Sequence, residues 1–320
     1  VSEIVAVILA AGKSTRMKSS QSKVLHPLFG RAMIDYVLSS AREAGAKRFL
    51  VVIGHEGEAV KSALANEPNL EFVWQHDPQG TGHAVMVCED HLKSHNGQTL
   101  VLAGDTPLLS SDSLKKLIEE QQKKSAACVI GSAITENNFG LGRIVRDNTT
   151  AFQKIVEQKD TTPEQAAITE INTGCYLFET VELLASLGKI DKSNSQGELY
   201  LTDCPGILLG ENKTVLASAC FSIDEAMGVN TRQHLAEVRQ VLHQRGLERL
   251  MAEGVGIVNP SQVDIDPRAT IGQDTIIHPF TMIEGEITIG ANCVIGPHAV
   301  IRHTNIEEGT EIPPFTLLTQ

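Results

Sequence analysis

Isoleucine recurs at positions 265, 271, 277, 283, 289, 295 and 301, seven times in strict six-residue register. Helices and ordinary alternating strands do not repeat with that period. A hexapeptide β-helix does, because each turn stacks three short strands and the repeated apolar side chain points into a shared triangular core. Small or apolar residues four places on, at Ala269, Thr275, Thr281, Ile287, Cys293 and Ala299, fit such an interior. Glycine follows the isoleucine directly at 272, 290 and 296. With Ile306 and Ile312 as approximate continuations there are about three coils, near the minimum for a stable stack, so an open coil end is expected to be protected by self-association. Residues 261–320 are therefore read as a short left-handed parallel β-helix.

The first two-thirds of the chain has another rhythm. Short β-rich apolar runs at 4–9, 49–53, 70–75, 99–103, 127–134 and 173–178 alternate with amphipathic segments such as 32–44 and 111–123. That alternation predicts an α/β domain, Rossmann-like, around a mostly parallel sheet. In open sheets of this kind ligands bind beyond the carboxyl ends of the strands, so the loops after Leu9, Gln75 and Ala103 are the ones to inspect. A helical pattern over 231–253, ending at Gly254, reads as a connection between domains. The expected organisation is a domain over 1–229, a connecting helix and linker over 230–260, and the coils over 261–320.

The 27 Lys+Arg against 39 Asp+Glu leave a net charge of −12, a field that repels nucleic acid and anionic membrane surfaces. The coil segment itself carries two arginines, no lysine and eight Asp/Glu. Neither nucleic acid nor membrane is an expected partner, and any phosphate must be held by a local basic site. Six cysteines without a C-x-x-C pair are too sparse for a secreted disulfide framework. The apolar opening 4–11 is too short to span a bilayer, and the expected compartment is the cytoplasm.

The residues best suited to bind phosphate follow the first strand: Ala10-Ala11-Gly12-Lys13-Ser14-Thr15-Arg16-Met17, with Lys23 shortly after. Small residues let backbone N–H groups approach an anion closely, and Arg16 and Lys23 can neutralise a polyphosphate. The loop has neither the Walker spacing nor the glycine triplet of dinucleotide-binding domains. Taken alone, Gln75 reads as a solvated strand-end residue, Asp105 as a turn or cap, Asn230 as a helix N-cap and Glu157 as a surface carboxylate.

In combination these residues resemble a family. L-A-A-G, then T-R-M, then Lys23-Val24-Leu25-His26, is similar to the opening of the nucleotidyltransferases that join a nucleoside triphosphate to a sugar 1-phosphate. The match is closest to the uridylyltransferase half of the bacterial bifunctional N-acetylglucosamine-1-phosphate uridylyltransferases/glucosamine-1-phosphate acetyltransferases. It continues through Gln79-Gly80-Thr81-Gly82-His83-Ala84, Ala103-Gly104-Asp105-Thr106-Pro107, Gly142-Arg143-Ile144, Ile155-Val156-Glu157, Glu170-Ile171-Asn172-Thr173-Gly174, Tyr200-Leu201-Thr202-Asp203 and Gly228-Val229-Asn230. Ser14 stands for a usual glycine and Ser22 for a common proline, departures that bear on loop stiffness.

The resemblance implies that Leu9, Ala10, Ala11, Gly12, Gln75, Gly80, Thr81, Ala103 and Gly104 hold the nucleotide. It implies that Asp105 and Asn230 ligate Mg²⁺ through hard oxygens, and that Gly142, Glu157, Asn172 and Thr202 contact the sugar. Arg16 and Lys23 are the implied catalytic cations. The implied reaction is attack of N-acetylglucosamine 1-phosphate on UTP, giving UDP-N-acetylglucosamine and pyrophosphate. Alternatives are another sugar or nucleotide, or a protein that binds a sugar nucleotide without turnover. Similarity to other hexapeptide proteins implies a homotrimer. His278, His298 and His303 raise the possibility of acyl transfer, but in the bifunctional relatives the acetyl-transfer residues lie in further coils, so that activity is expected to be absent.

Overall fold

A computed structural model describes residues 3–13 and 15–319; the Ser14 departure lies outside them. The chain divides into two compact units, Val1–His26 with Ala32–His234, and Pro27–Arg31 with Leu235–Gln320.

The first unit is built on nine strands: β1 (Ile4–Leu9), β2 (Ala46–Ile53), β3 (Leu70–Trp74), β4 (Gln98–Ala103), β5 (Cys128–Ile134), β6 (Arg143–Arg146), β7 (Phe152–Val156), β8 (Glu170–Glu179) and β9 (Val215–Ser218). The sheet runs β9-β5-β8-β4-β1-β2-β3, with β6 pairing β8 and β7. β1 lies parallel between β2 and β4, Leu9 opposite both Val52 and Ala103, and β3 extends the parallel group. The run read at 173–178 is the end of a longer strand, β8, which lies antiparallel to both neighbours. Alternate residues of β1 enter opposite cores, Ile4, Ala6 and Ile8 on one face and Val5 and Val7 on the other. A strand covered on both faces must be apolar throughout, which is why β1 reads as an unbroken hydrophobic run. Helix Met33–Glu43 buries Ile34, Val37, Leu38 and Ala41, the residues at helical spacing. Helix Ser111–Lys124 is capped by Ser110, whose hydroxyl accepts from the N–H of Ser113 at 3.2 Å.

In the second unit the six-residue register becomes three stacked parallel sheets. Ile265, Ile283 and Ile301 lie in one, Ile271 and Ile289 in the second, and Ile277, Ile295 and Ile312 in the third. All are buried, as are the six residues four places on. The glycines have a steric cause: a Cβ on Gly272 would meet the backbone nitrogen of Ala291 at 2.4 Å, and one on Gly290 that of Glu308 at 2.4 Å. Successive coils approach too closely there for any side chain. At one corner of the stack Phe280, His298 and Phe315 take positive φ and their rings stack with centroids 4.8 Å apart. The helix read over 231–253 forms at Arg232–Ala252. Leu247 and Leu250 complete the coil core, and Nη2 of Arg239 donates to both carboxylate oxygens of Asp264, at 2.8 and 2.7 Å. Among the described residues no helix is long and apolar enough to cross a membrane.

Candidate active site

The carboxyl ends of β1, β3 and β4 open on a cavity of about 530 Å³ in the first unit. Ten of the residues read as nucleotide or phosphate contacts line it: Leu9, Ala10, Ala11, Gly12, Lys23, Gln75, Gly80, Thr81, Ala103 and Asp105. Gly104 does not line it; its N–H donates to the carbonyl oxygen of Leu9 at 2.9 Å and ties the ends of β1 and β4 together. Pro78 and Glu198 also line the cavity; Pro78 had no signal in the sequence, and Glu198 had only its place in the block Gln196-Gly197-Glu198, which also belongs to the resemblance.

The loop after β1 is held by its apolar residues. Met17 and Val24 are buried, each in a single 3-10 turn, Thr15–Met17 and Lys23–Leu25. These anchors leave the polar neighbours, Arg16 and Lys23, directed away from the core. Ser22, which caps the second turn, has φ −52°, a value that proline would hold equally well, so the serine keeps the backbone course.

Both cations reach Oδ1 of Asn230, and Lys23 reaches the Asp105 carboxylate as well. The Lys23 ammonium is ion-paired with the Asp105 carboxylate and donates to Oδ1 of Asn230 at 3.1 Å. Arg16 donates to the same Oδ1 at 2.9 Å. Asp105 and Asn230 thus converge on one positive charge. Two hard oxygens suit Mg²⁺, which takes one or two protein ligands and completes its shell with water and phosphate oxygens. Among the described residues there is no group of three His, Cys, Asp or Glu that could hold a metal by itself, and such a site does not require one.

A second polar cluster contains all four residues read as sugar contacts. The Asn172 N–H donates to the carbonyl oxygen of Gly142 at 2.9 Å, and the Thr202 hydroxyl donates to Oε1 of Glu157 at 3.2 Å. A Cβ on Gly142 would lie 3.6 Å from Oε2 of Glu157. Burial raises the Glu157 carboxyl above the ordinary range, the Thr202 hydrogen bond opposes it, and Asp160 and Asp203 add to it. Asn172 is held on both sides, donating to the Tyr176 hydroxyl at 2.6 Å and accepting from the Gly174 N–H at 3.1 Å. Arg143, 1% exposed, fixes the loop that carries Gly142 by donating to Leu141, Asn138 and Gln158.

The two clusters are mechanically connected. Gly80 has φ 117°, and a Cβ there would strike the carbonyl oxygen of Leu199 at 2.4 Å, so the position requires glycine. The N–H of Leu201 donates to the Thr81 hydroxyl at 3.1 Å, and Thr202 follows immediately.

Residues 6–257 match the MobA-like NTP transferase domain family, and residues 268–303 match the bacterial transferase hexapeptide family. Curated relatives include the "Bifunctional protein GlmU" of an Exiguobacterium species, 41% identical over 303 residues that make up 95% of this chain and 67% of the relative. The protein of that name from Enterococcus faecalis is 39% identical, covering 98% of this chain and 71% of its own length. The Geobacillus sp. protein is 40% identical, covering 96% and 66% respectively.

Proposed function

The chain belongs to the family of the bifunctional GlmU proteins, on a MobA-like NTP transferase domain, and is a sugar-1-phosphate nucleotidyltransferase; from that premise we propose that it transfers the uridylyl group of UTP to N-acetylglucosamine 1-phosphate and releases pyrophosphate. The observation that carries this reading is the convergence of Lys23, Arg16, Asp105 and Asn230 on one another, with Lys23 and Asp105 in the lining of the cavity that the β1, β3 and β4 ends open.

The chemistry needs no protein nucleophile. The phosphate of the sugar substrate is already largely ionised at neutral pH. Its oxygen attacks the α-phosphorus of UTP in line, and the bond to the β-phosphate oxygen breaks. The protein's part is positioning and charge neutralisation. Gln75 and Gly80 offer the base an acceptor and a donor. The loop 10–13 carries small residues that admit phosphate close to the backbone, and Lys23 and Arg16 face the charge that develops. Asp105 and Asn230 would hold Mg²⁺, which when bound neutralises the departing pyrophosphate. Glu157, Asn172 and Thr202 supply the donors and acceptors that an N-acetylated sugar requires.

The test is a matrix of four nucleoside triphosphates against several sugar 1-phosphates with Mg²⁺, scored by pyrophosphate release. UTP with N-acetylglucosamine 1-phosphate is expected to lead. Turnover led by another pair would replace the substrates while keeping the reaction class.

The coils support assembly into a homotrimer: Phe280 and Phe315, which flank His298 in the ring stack, are 52% and 77% exposed in one protomer, and Leu317 is 64% exposed. Light scattering at monomer mass would refute it. Six free thiols, five of them buried, fit a reducing compartment, and the reading places the enzyme in the cytoplasm.

A further inference from the structure

Gln75, 4% exposed, lies just past the end of β3 with Nε2 at 3.3 Å from the carbonyl oxygen of Gly80 and 3.0 Å from Nδ1 of His83. A carbonyl oxygen can only accept, so Gly80 fixes which end of the carboxamide is nitrogen. The amide nitrogen can only donate, so Nδ1 of His83 is the unprotonated ring nitrogen and the ring proton sits on Nε2. Both N–H bonds of the amide are then engaged. Among the described residues no hydrogen bond is made to Oε1 of Gln75, and none by the N–H of Gly80. Both residues line the cavity.

We propose that His83 is a positioning residue for base selection: by accepting from Gln75 it locks the carboxamide with Oε1 toward the base. This rests on the reading of Gln75 as a nucleotide contact. A locked acceptor beside a backbone donor complements an imide edge, where N3–H lies beside a carbonyl oxygen, as in uracil. Cytosine presents a bare N3, which Oε1 repels. Without the histidine only the longer bond to Gly80, 3.3 Å, opposes a half-turn of the amide that would offer Nε2 to that N3, so the histidine acts through glutamine on specificity and has no contact with the reacting phosphates. Its place in the short helix Thr81–Met86, two residues after Thr81, keeps Nδ1 on the Gln75 side.

The experiment compares His83→Phe, His83→Asn and Gln75→Leu in the full chain. Phenylalanine keeps a ring and removes the acceptor; asparagine restores one, because its Oδ1, like Nδ1, is bonded to Cγ. His83→Phe is expected to raise KM for UTP roughly 3- to 10-fold, the worth of one hydrogen bond. It should leave kcat and KM for the sugar phosphate within about twofold and lower the UTP-to-CTP ratio of kcat/KM by a similar factor. His83→Asn should recover most of both. Unchanged KM and base preference in His83→Phe, with Gln75→Leu altered, overturns the lock alone. Unchanged preference in Gln75→Leu overturns the nucleotide reading of Gln75, and the lock with it. Nitrogen-15 NMR of the unmodified protein tests the same point without any variant: Nδ1 of His83 is expected unprotonated, and a proton found there refutes the proposal.

Discussion

The backbone N–H of Val229 donates to the carbonyl oxygen of Asp105 at 2.9 Å, and this bond sets Asn230 beside Asp105 although the two are far apart in sequence. Lys23 then spans them. Removing the charge of Asp105 takes away the only anionic oxygen in that group and leaves the ammonium with an amide. Asp105→Asn is therefore expected to lower kcat on the order of 100-fold or more. It should also weaken Mn²⁺ binding in the presence of UTP, read by electron paramagnetic resonance. Activity within tenfold of the parent would remove Asp105 from the proposed metal site.

Arg16 is exposed, and the turn that carries it is fixed by Met17 at 1% exposure. Arg16→Ala should therefore leave the melting temperature unchanged. Its guanidinium reaches Asn230, one of the two residues proposed to hold Mg²⁺. The expected result is a fall in kcat larger than the rise in KM for UTP. Near-normal turnover would take Arg16 out of the catalytic group.

How far the fold could be read from sequence depended on how regular each element's surroundings are. The coils were legible because every repeated isoleucine meets the same environment, and β1 because both its faces are covered. β6, β7 and β9 were not read as strands: they are short, and β6 and β7 carry Arg143, Arg146, Gln153 and Lys154 among their apolar residues. The antiparallel sense of β8 leaves no trace in its composition. Lys23 and Asp105 were both singled out, but their pairing depends on the sheet bringing two strand ends together. Glu157 and Asn172 looked ordinary one at a time, and only the resemblance drew them out. His83 had no signal beyond its place in a quoted motif, because the role proposed for it lies in one hydrogen bond to Gln75.

Glu157 offers a pH test with a definite sign. Burial raises its carboxyl in the folded chain, so the folded state holds the proton at pH values where the unfolded chain has released it. Its contribution is favourable below the ordinary carboxylate pKa and is lost as pH rises through the raised value. Glu157→Gln removes that titration. The melting temperature of the variant relative to the parent should be higher at pH 7 than at pH 4, while KM for the sugar phosphate rises at pH 7. A difference that is the same at both pH values would show that Glu157 does not titrate in this way.

The close approach of successive coils gives the most direct test of the second unit. A Cβ at 290 would lie 2.4 Å from the backbone nitrogen of Glu308 and 2.5 Å from its Cα, and backbone cannot step aside as a flexible side chain can. The bond from the Gly290 N–H to the carbonyl oxygen of Ile306, 2.8 Å, is the link that must lengthen. Gly290→Ala is expected to cost about 2 kcal/mol in the coils, in the range of overpacking, which corresponds to roughly 30-fold faster hydrogen exchange for amides that open with them. Ile295→Val, which only shortens a fully buried side chain, should cost about 1 kcal/mol and serves as the graded comparison. The single tryptophan, Trp74, lies in β3 of the other unit, so its fluorescence reports that unit. Exchange at 288–312 should accelerate in Gly290→Ala while the Trp74 unfolding midpoint stays in place. Equal protection in variant and parent would mean that the coils accommodate the methyl group and that glycine at this position has another cause.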